Sequence, residues 1–195
     1  MKKYFRFLKL LLIGSLAISP VFLSAQSCKN NEQSHLVQRK LQNVIDGDTI
    51  LDENNVMYRF LGIDTPESRK KVNDTWIETT GIEKNFATKA KNFTLQRLKE
   101  NNFVFFVDTD LKQDKYGRSL AKIYLDDKRQ KMLNVELVKN GLALQYYISL
   151  NPKNIYYTKD VDFYLLLQNA QLEARVNKRG FWNLQNVAII FPKHH

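Results

Sequence analysis

Val44-Ile45-Asp46-Gly47-Asp48-Thr49-Ile50-Leu51 and, after a short polar spacer, Val56-Met57-Tyr58-Arg59-Phe60-Leu61-Gly62-Ile63-Asp64-Thr65-Pro66-Glu67 are two apolar runs broken by turn residues. The runs are rich in β-branched and aromatic residues and too short for helices. Leu41–Ile45 reads as a strand, Asp46-Gly47 as a turn and Thr49–Leu51 as a second strand. Asp52–Asn55 is a second turn and Val56–Leu61 a third strand. The core therefore starts as a β-meander. The same two dozen residues collect four carboxylates, Asp46, Asp48, Asp64 and Glu67, around one arginine, Arg59.

Downstream, Arg69–Thr80 has no apolar period and reads as a loop. Ile82–Glu100 carries Phe86, Ala87, Ala90, Phe93, Thr94 and Leu98 at helical spacing, with lysines on the other face, and predicts an amphipathic helix. Phe103–Asp108 and Ser119–Leu125 predict two strands paired through a connection over Asp110–Gly117. Met132–Asn140 predicts a short helix stopped by Gly141, the residue that best takes the left-handed C′ conformation. Leu142–Tyr147 reads as a short extended segment. Asp160–Lys178 predicts the last helix, with Phe163, Leu166, Leu167, Ala170 and Ala174 on its buried side and Gly180 as its stop. Phe181 and Trp182 are expected to fold back over that end. There is no internal repeat or low-complexity tract. About five short strands with three helices, in an order that does not alternate β-α-β, predict a small antiparallel barrel with helices packed on it, an α+β fold.

Upstream, Lys2, Lys3, Arg6 and Lys9 precede the apolar run Leu10–Leu23, and the small residues Ser24, Ala25 and Ser27 follow. This is the layout of a signal peptide, and the run is short for a bilayer span, which takes about 20 residues. The one cysteine of the chain, Cys28, comes next. The arrangement resembles the cleavage site of bacterial lipoproteins, in which the cysteine is lipidated and becomes the N-terminus. Three readings stay open: a lipid anchor on Cys28, an uncleaved N-terminal anchor, or a secreted protein with an incidental thiol. The first divides the chain into a signal peptide over 1–27, a tether over 28–40 and a domain over 41–195. It places the domain on the extracellular face of the cell membrane, with secretion as the alternative.

A single cysteine excludes an intramolecular disulfide and any cysteine-rich zinc site. The histidines, His35, His194 and His195, lie at the chain ends, which argues against a histidine zinc site as well. Net charge is +10, and removing the four cations of the first 27 residues, which hold no acid, leaves +6. A cationic surface suits a polyanion such as nucleic acid or an anionic headgroup, although it also serves solubility.

The carboxylates decide further. Hard divalent cations take oxygen ligands, and Asp48, Asp64 and the Thr65 carbonyl beside Pro66 can meet if the flanking strands share a sheet. An EF-hand is excluded, because its sixth loop position would be Leu51 and its twelfth Met57. Each acid alone has a plain structural use, in the Asp46-Gly47 turn or in an Asx turn at Asp64. Four together repel unless a cation compensates them. Phosphodiester hydrolysis needs such a set: a cation to polarise phosphate, a carboxylate such as Glu67 beside the water, and guanidinium groups for the developing charge. Arg59 is one guanidinium. Arg118, at the turn Asp114-Lys115-Tyr116-Gly117-Arg118, is the second.

These motifs, together with Ser119-Leu120-Ala121 and the closing Arg179-Gly180-Phe181-Trp182, resemble those of the staphylococcal nuclease (thermonuclease) family over about Leu41–Trp182. The resemblance implies a five-stranded OB-fold β-barrel with three packed α-helices. It also implies Ca²⁺-dependent cleavage of DNA and RNA at P–O5′, leaving 3′-phosphate ends. By position, Asp48, Asp64 and the Thr65 carbonyl are similar to the Ca²⁺ ligands and Asp46 to a nearby second acid. Arg59 and Arg118 are similar to the phosphate-binding arginines and Glu67 to the carboxylate near the attacking water. Lys115 and Tyr116 resemble contacts to the terminal phosphate, and Tyr147 a tyrosine of the base pocket. Where the family often has a second tyrosine the chain has Ser149, with Tyr156 and Tyr157 nearby as replacements. No feature calls for a protein partner, and a monomer is expected. A binding-only module on the same barrel and a non-enzymatic surface lipoprotein are the competing functions. The sharpest expectation is geometric: Arg59 and Arg118 should face one pocket beside Asp48 and Asp64.

Overall fold

A computed structural model describes residues 36–109 and 112–191; the expected signal peptide and Cys28 lie outside them. Five strands close into a barrel in the order β1 (Val37–Asp46), β2 (Thr49–Asp52), β3 (Met57–Phe60), β8 (Ser119–Tyr124), β7 (Val104–Asp108). Outside the barrel, β4 (Ile63–Asp64) pairs with β9 (Leu144–Gln145), and β5 (Arg69–Val72) pairs with β6 (Thr75–Glu78). Three helices, α1 (Gly81–Glu100), α2 (Leu133–Lys139) and α3 (Val161–Val176), complete the α+β architecture. The five-stranded OB-type barrel with three helices expected from the sequence is the fold observed.

Closure depends on β1, which pairs with β7 through Val37–Lys40 and with β2 through Leu41–Asp46. Register shifts between Leu41 and Asn43 and between Val44 and Asp46 bend it from one partner to the other, as β-bulges do. The strand begins four residues before the sequence reading placed it. Val37–Lys40, read as the end of a tether, are barrel strand, because their backbone pairs with Val104–Val107.

The β3–β8 pair is the parallel one in the barrel. Asn134 on α2 staples it: its amide donates to the carbonyls of Leu61 at 2.9 Å and Ala121 at 3.3 Å, and accepts from the Ile123 amide at 2.9 Å. A fully buried side chain with these partners closes the sheet at the point where the strands change direction. The barrel interior holds Ile50, Phe60, Phe105 and Ile123, and the helices bury Ala90, Leu137 and Leu167 against it. Leu166, expected on the buried side of α3, is half exposed, since Phe163, Leu167, Ala170 and Ala174 form the inward stripe. Phe181 is buried against Phe86, Trp182 and Phe191, as its expected fold-back requires.

Helix α1 positions the turn that carries the site. A Cβ on Gly47 would lie 2.6 Å from the Ala90 Cβ, so only glycine lets the Asp46–Asp48 turn sit this close to the helix. Thr94 then donates to the Gly47 carbonyl at 2.6 Å. The segment Arg69–Thr80 departs from the expected loop. It is a two-stranded hairpin with Val72 opposite Thr75, and Asn73 and Asp74 both have positive φ (47° and 65°). Two such residues match the twist of a tight hairpin, and Asn and Asp tolerate that conformation better than most. Among the described residues no helix is long and apolar enough to cross a membrane.

Candidate active site

Asp48 follows the Asp46-Gly47 turn at the start of β2, and Asp64 ends the short strand β4. Pairing of β2 with β3, with Thr49 opposite Arg59, brings Arg59 beside Asp48. One guanidinium then serves both acids: Arg59 Nη1 bonds Asp48 Oδ1 and Nη2 bonds Asp64 Oδ1. Nη2 also donates to the Ile63 carbonyl at 3.3 Å. The second oxygen of Asp48 accepts the Thr65 amide at 2.8 Å, and Thr49 Oγ1 donates to Oδ1 at 3.2 Å. Asp48 is 0 % exposed and Asp64 7 %.

Two buried carboxylates on a single guanidinium carry one more negative charge than positive. Burying such a set is costly unless a further cation compensates it. All candidate donors are oxygens, which is the preference of a hard cation. A divalent ion at this site would be held by Asp48, Asp64 and the Thr65 carbonyl. Among the described residues no three Asp, Glu, His or Cys side chains group as a metal cluster, so two carboxylates and a carbonyl are the set in question.

Glu67 lies just beyond Pro66, with its own carbonyl fixed by Thr79 Oγ1 at 2.7 Å. It lines a cleft of about 360 Å³ together with Asp46, Thr49, Arg69, Trp76 and Arg118. Asp46 accepts from Ser68 Oγ at 2.5 Å on the cleft wall. Arg118 is held by Asp114: Nε donates to Oδ2 at 2.7 Å and Nη2 lies 2.6 Å from the same oxygen. Asp114 Oδ1 also accepts the Arg118 and Tyr116 amides, at 3.0 and 2.9 Å. Burial pushes the Asp114 carboxyl up, but the Arg118 guanidinium and these two amides hold it below its ordinary value.

The expected convergence of the two arginines on one pocket beside Asp48 and Asp64 is not observed. Arg118 lines the cleft; Arg59 does not, because the two buried acids draw its guanidinium behind the wall. Thr49 joins them, since Arg118 Nη1 lies 3.5 Å from Thr49 Oγ1, which in turn meets Asp48. Arg59, Asp48, Thr49 and Arg118 thus form one contact chain.

Tyr116 is 70 % exposed, with Lys115 Nζ 5.0 Å and Arg118 Cζ 5.4 Å from its ring centre. Tyr147 lies on the Asp64 side. Burial, then the Asp64 charge, push its phenol up to about 12. Its ring meets those of Tyr146 and Tyr156 at 4.7 and 5.0 Å. Ser149 instead closes the 148–160 loop, donating its amide to the Tyr156 carbonyl and accepting the Thr158 amide, both at 2.9 Å. Tyr156, not Tyr157, is the aromatic against Tyr147.

Sequence reasoning assigned no role to Thr49, Asp114 or Ser68, which hold the acids and Arg118 in place. The Asp114-x-x-Gly117-Arg118 spacing is a turn signal that could have shown Asp114 as the anchor. Thr49 and Ser68 carry no such signal, because their roles depend on packing between segments.

A family model described as staphylococcal nuclease homologue matches residues 57–184. A thermonuclease of Staphylococcus intermedius is 35 % identical over 77 % of this chain and 76 % of its own. An uncharacterized protein of Methanocaldococcus jannaschii is 34 % identical over 75 % of this chain and 72 % of its own. Endonuclease YncB of Bacillus subtilis is 29 % identical over 79 % of this chain and 65 % of its own. A match over more than half of the chain, with relatives this similar along most of their length, means that the chain belongs to the staphylococcal nuclease family.

Proposed function

We propose that this protein is a Ca²⁺-dependent nuclease that hydrolyses phosphodiester bonds of DNA and RNA, breaking P–O5′ and leaving 3′-phosphate and 5′-hydroxyl ends. Membership of the family makes it a nuclease of the hydrolase class. The observation that carries the finer reading is the buried Asp48–Asp64 pair on Arg59, joined through Thr49 to a cleft faced by Glu67 and Arg118. When bound, Ca²⁺ supplies Lewis-acid polarisation of the phosphate.

The chain's own groups do the rest. Asp48, Asp64 and the Thr65 carbonyl present fixed oxygens, so little reorganisation is left for the reaction itself. Glu67 orients the water that attacks phosphorus, or takes its proton. Arg118 meets the extra negative charge of the pentacoordinate phosphorus with paired N–H donors, and Arg59 supplies a second positive charge behind Asp48. Asp46, tied to Ser68, adds to the field around the cleft. Lys115 and Tyr116 take the terminal phosphate, and Tyr147 with Tyr156 receives the base. The domain acts as a monomer, anchored on the extracellular face by a lipid on Cys28; an unmodified Cys28 in the mass spectrum of the mature protein overturns that anchoring.

The test is incubation of the protein with DNA and with RNA, in Ca²⁺ and then in a chelator. Cleavage of both polymers in Ca²⁺ alone is expected. Cleavage that persists in the chelator, or none in either condition, refutes the Ca²⁺ reading.

A further inference from the structure

The β5–β6 hairpin stands over the cleft and is tied down on one side. Lys70 bonds Glu83 at 2.6 Å and Glu78 bonds Lys84 at 3.1 Å, both pairs joining the hairpin to α1. At its base Thr79 Oγ1 holds the Glu67 carbonyl, so the hairpin and the water-side carboxylate share an anchor. Strand alternation sorts its side chains. Arg69 is opposite Glu78 and Lys71 opposite Trp76, so these four share a face, while Lys70, Val72, Thr75 and Ile77 take the other. Arg69 and Trp76 both line the active-site cleft, so the first face is turned toward it.

A second cleft continues from the first and shares Ile45, Ser68 and Arg69 with it. It adds Lys84, Thr88 and Lys91 of α1, and Glu78 as its acid. Among the described residues Arg69 and Lys91 have no ion-pair partner, and the Trp76 ring, 62 % exposed, has no aromatic or cationic one. Two unpaired cations and an open indole therefore line the two joined clefts, which reach from Glu67 and Arg118 to helix α1. This is the pairing of a backbone-tracking positive groove with a stacking platform that single-strand binders use.

We propose that the Arg69–Glu78 hairpin is a single-strand guide: Trp76 stacks on an unpaired base next to the reacting phosphate, and Arg69 and Lys91 take the phosphates that follow toward α1. The proposal rests on the nuclease reading and adds to it the residues that hold the strand beside the reacting phosphate. Bases inside a duplex are covered on both faces, so this indole finds a partner only on a base that has left the stack.

The test uses the full chain with a labelled short single-stranded oligonucleotide, bound in chelator so that no cleavage intervenes. Trp76→Ala is expected to weaken binding by about 5- to 150-fold, the range of one lost base stack, and Trp76→Phe to recover most of it. The Arg69→Ala/Lys91→Ala variant should lower the slope of log K against log salt by about 1.4, two single-strand phosphate contacts. In Ca²⁺, the Trp76→Ala loss in kcat/KM on the oligonucleotide should exceed its loss on bis(4-nitrophenyl) phosphate at least fivefold. Unchanged binding in Trp76→Ala, an unchanged salt slope in the double variant, or equal losses on the two substrates overturns the guide. A wild-type protein that cleaves neither substrate refutes the nuclease reading, and the binding arm still decides the role of the hairpin.

Discussion

Arg59 and Arg118 carry the same functional group and stand in one chain of contacts, yet they are held in opposite ways. Arg59 belongs to the barrel. Its strand pairs on both sides, and its guanidinium lies behind the cleft wall between two buried acids. Arg118 belongs to the connection between β7 and β8, where Asp114 grips both its side chain and its backbone on a partly exposed turn. The barrel half is fixed by the same contacts that fold the protein. The hairpin half is fixed by the local contacts of Asp114. The two acids of the barrel half are buried, whereas Arg118 sits on a partly exposed turn.

The largest expected effect separates the two halves by stability. Arg59→Ala leaves two buried carboxylates without their shared cation and should cost about 3–5 kcal/mol in metal-free urea denaturation. Arg118→Ala should cost no more than about 1 kcal/mol in the same measurement, since it breaks a pair near the surface. Equal losses would erase the distinction between a structural and a free-standing half. Next comes activity: Arg118→Ala should lose roughly 100- to 1000-fold in turnover, about 2.7–4 kcal/mol, as for removal of one donor to a developing oxyanion. A fall of less than tenfold would place Arg118 away from the reacting phosphate.

The smallest effect concerns Asp114. Its folded-state pKa lies below the ordinary value, so its stabilisation is present above about pH 3.9 and is lost as pH falls through the lowered folded value. Asp114→Asn should therefore remove under about 1 kcal/mol at neutral pH, and the difference from wild type should shrink in acid. A difference that widens as pH drops would reverse the sign and discredit the anchor.

How much of this was legible varies by element. The ranges of β2, β3 and α1 differ from the sequence reading by a residue or two, because alternation, turn pairs and helical period all agree there. The β5–β6 hairpin was missed. Its strands, Arg-Lys-Lys-Val and Thr-Trp-Ile-Glu, bury little and so show no apolar pattern. The signal was there in Asn73-Asp74, a two-residue loop whose left-handed tolerance makes a tight hairpin. Asp52 was read only as a turn residue, yet it is fully buried. It accepts the Asn54 and Val56 amides and the Tyr58 hydroxyl, with Arg39 Nε at 3.2 Å. A local turn and a long-range ion pair look identical in sequence when one partner lies thirteen positions away.

The sequence by itself determined the barrel, the order of its strands and helices, and the composition of the acid-rich half, because these depend on patterns a few residues long. Only the tertiary structure decided that Asp48 and Asp64 share one guanidinium, that Thr49 links this pair to Arg118, and that Trp76 stands at the same cleft. Each of those facts joins side chains from different segments, and the bend of β1 and closure of β3 on β8 set the distances between them. What first reads as four acids around an arginine in Val44–Glu67 is, once folded, a buried pair and two cleft-facing carboxylates.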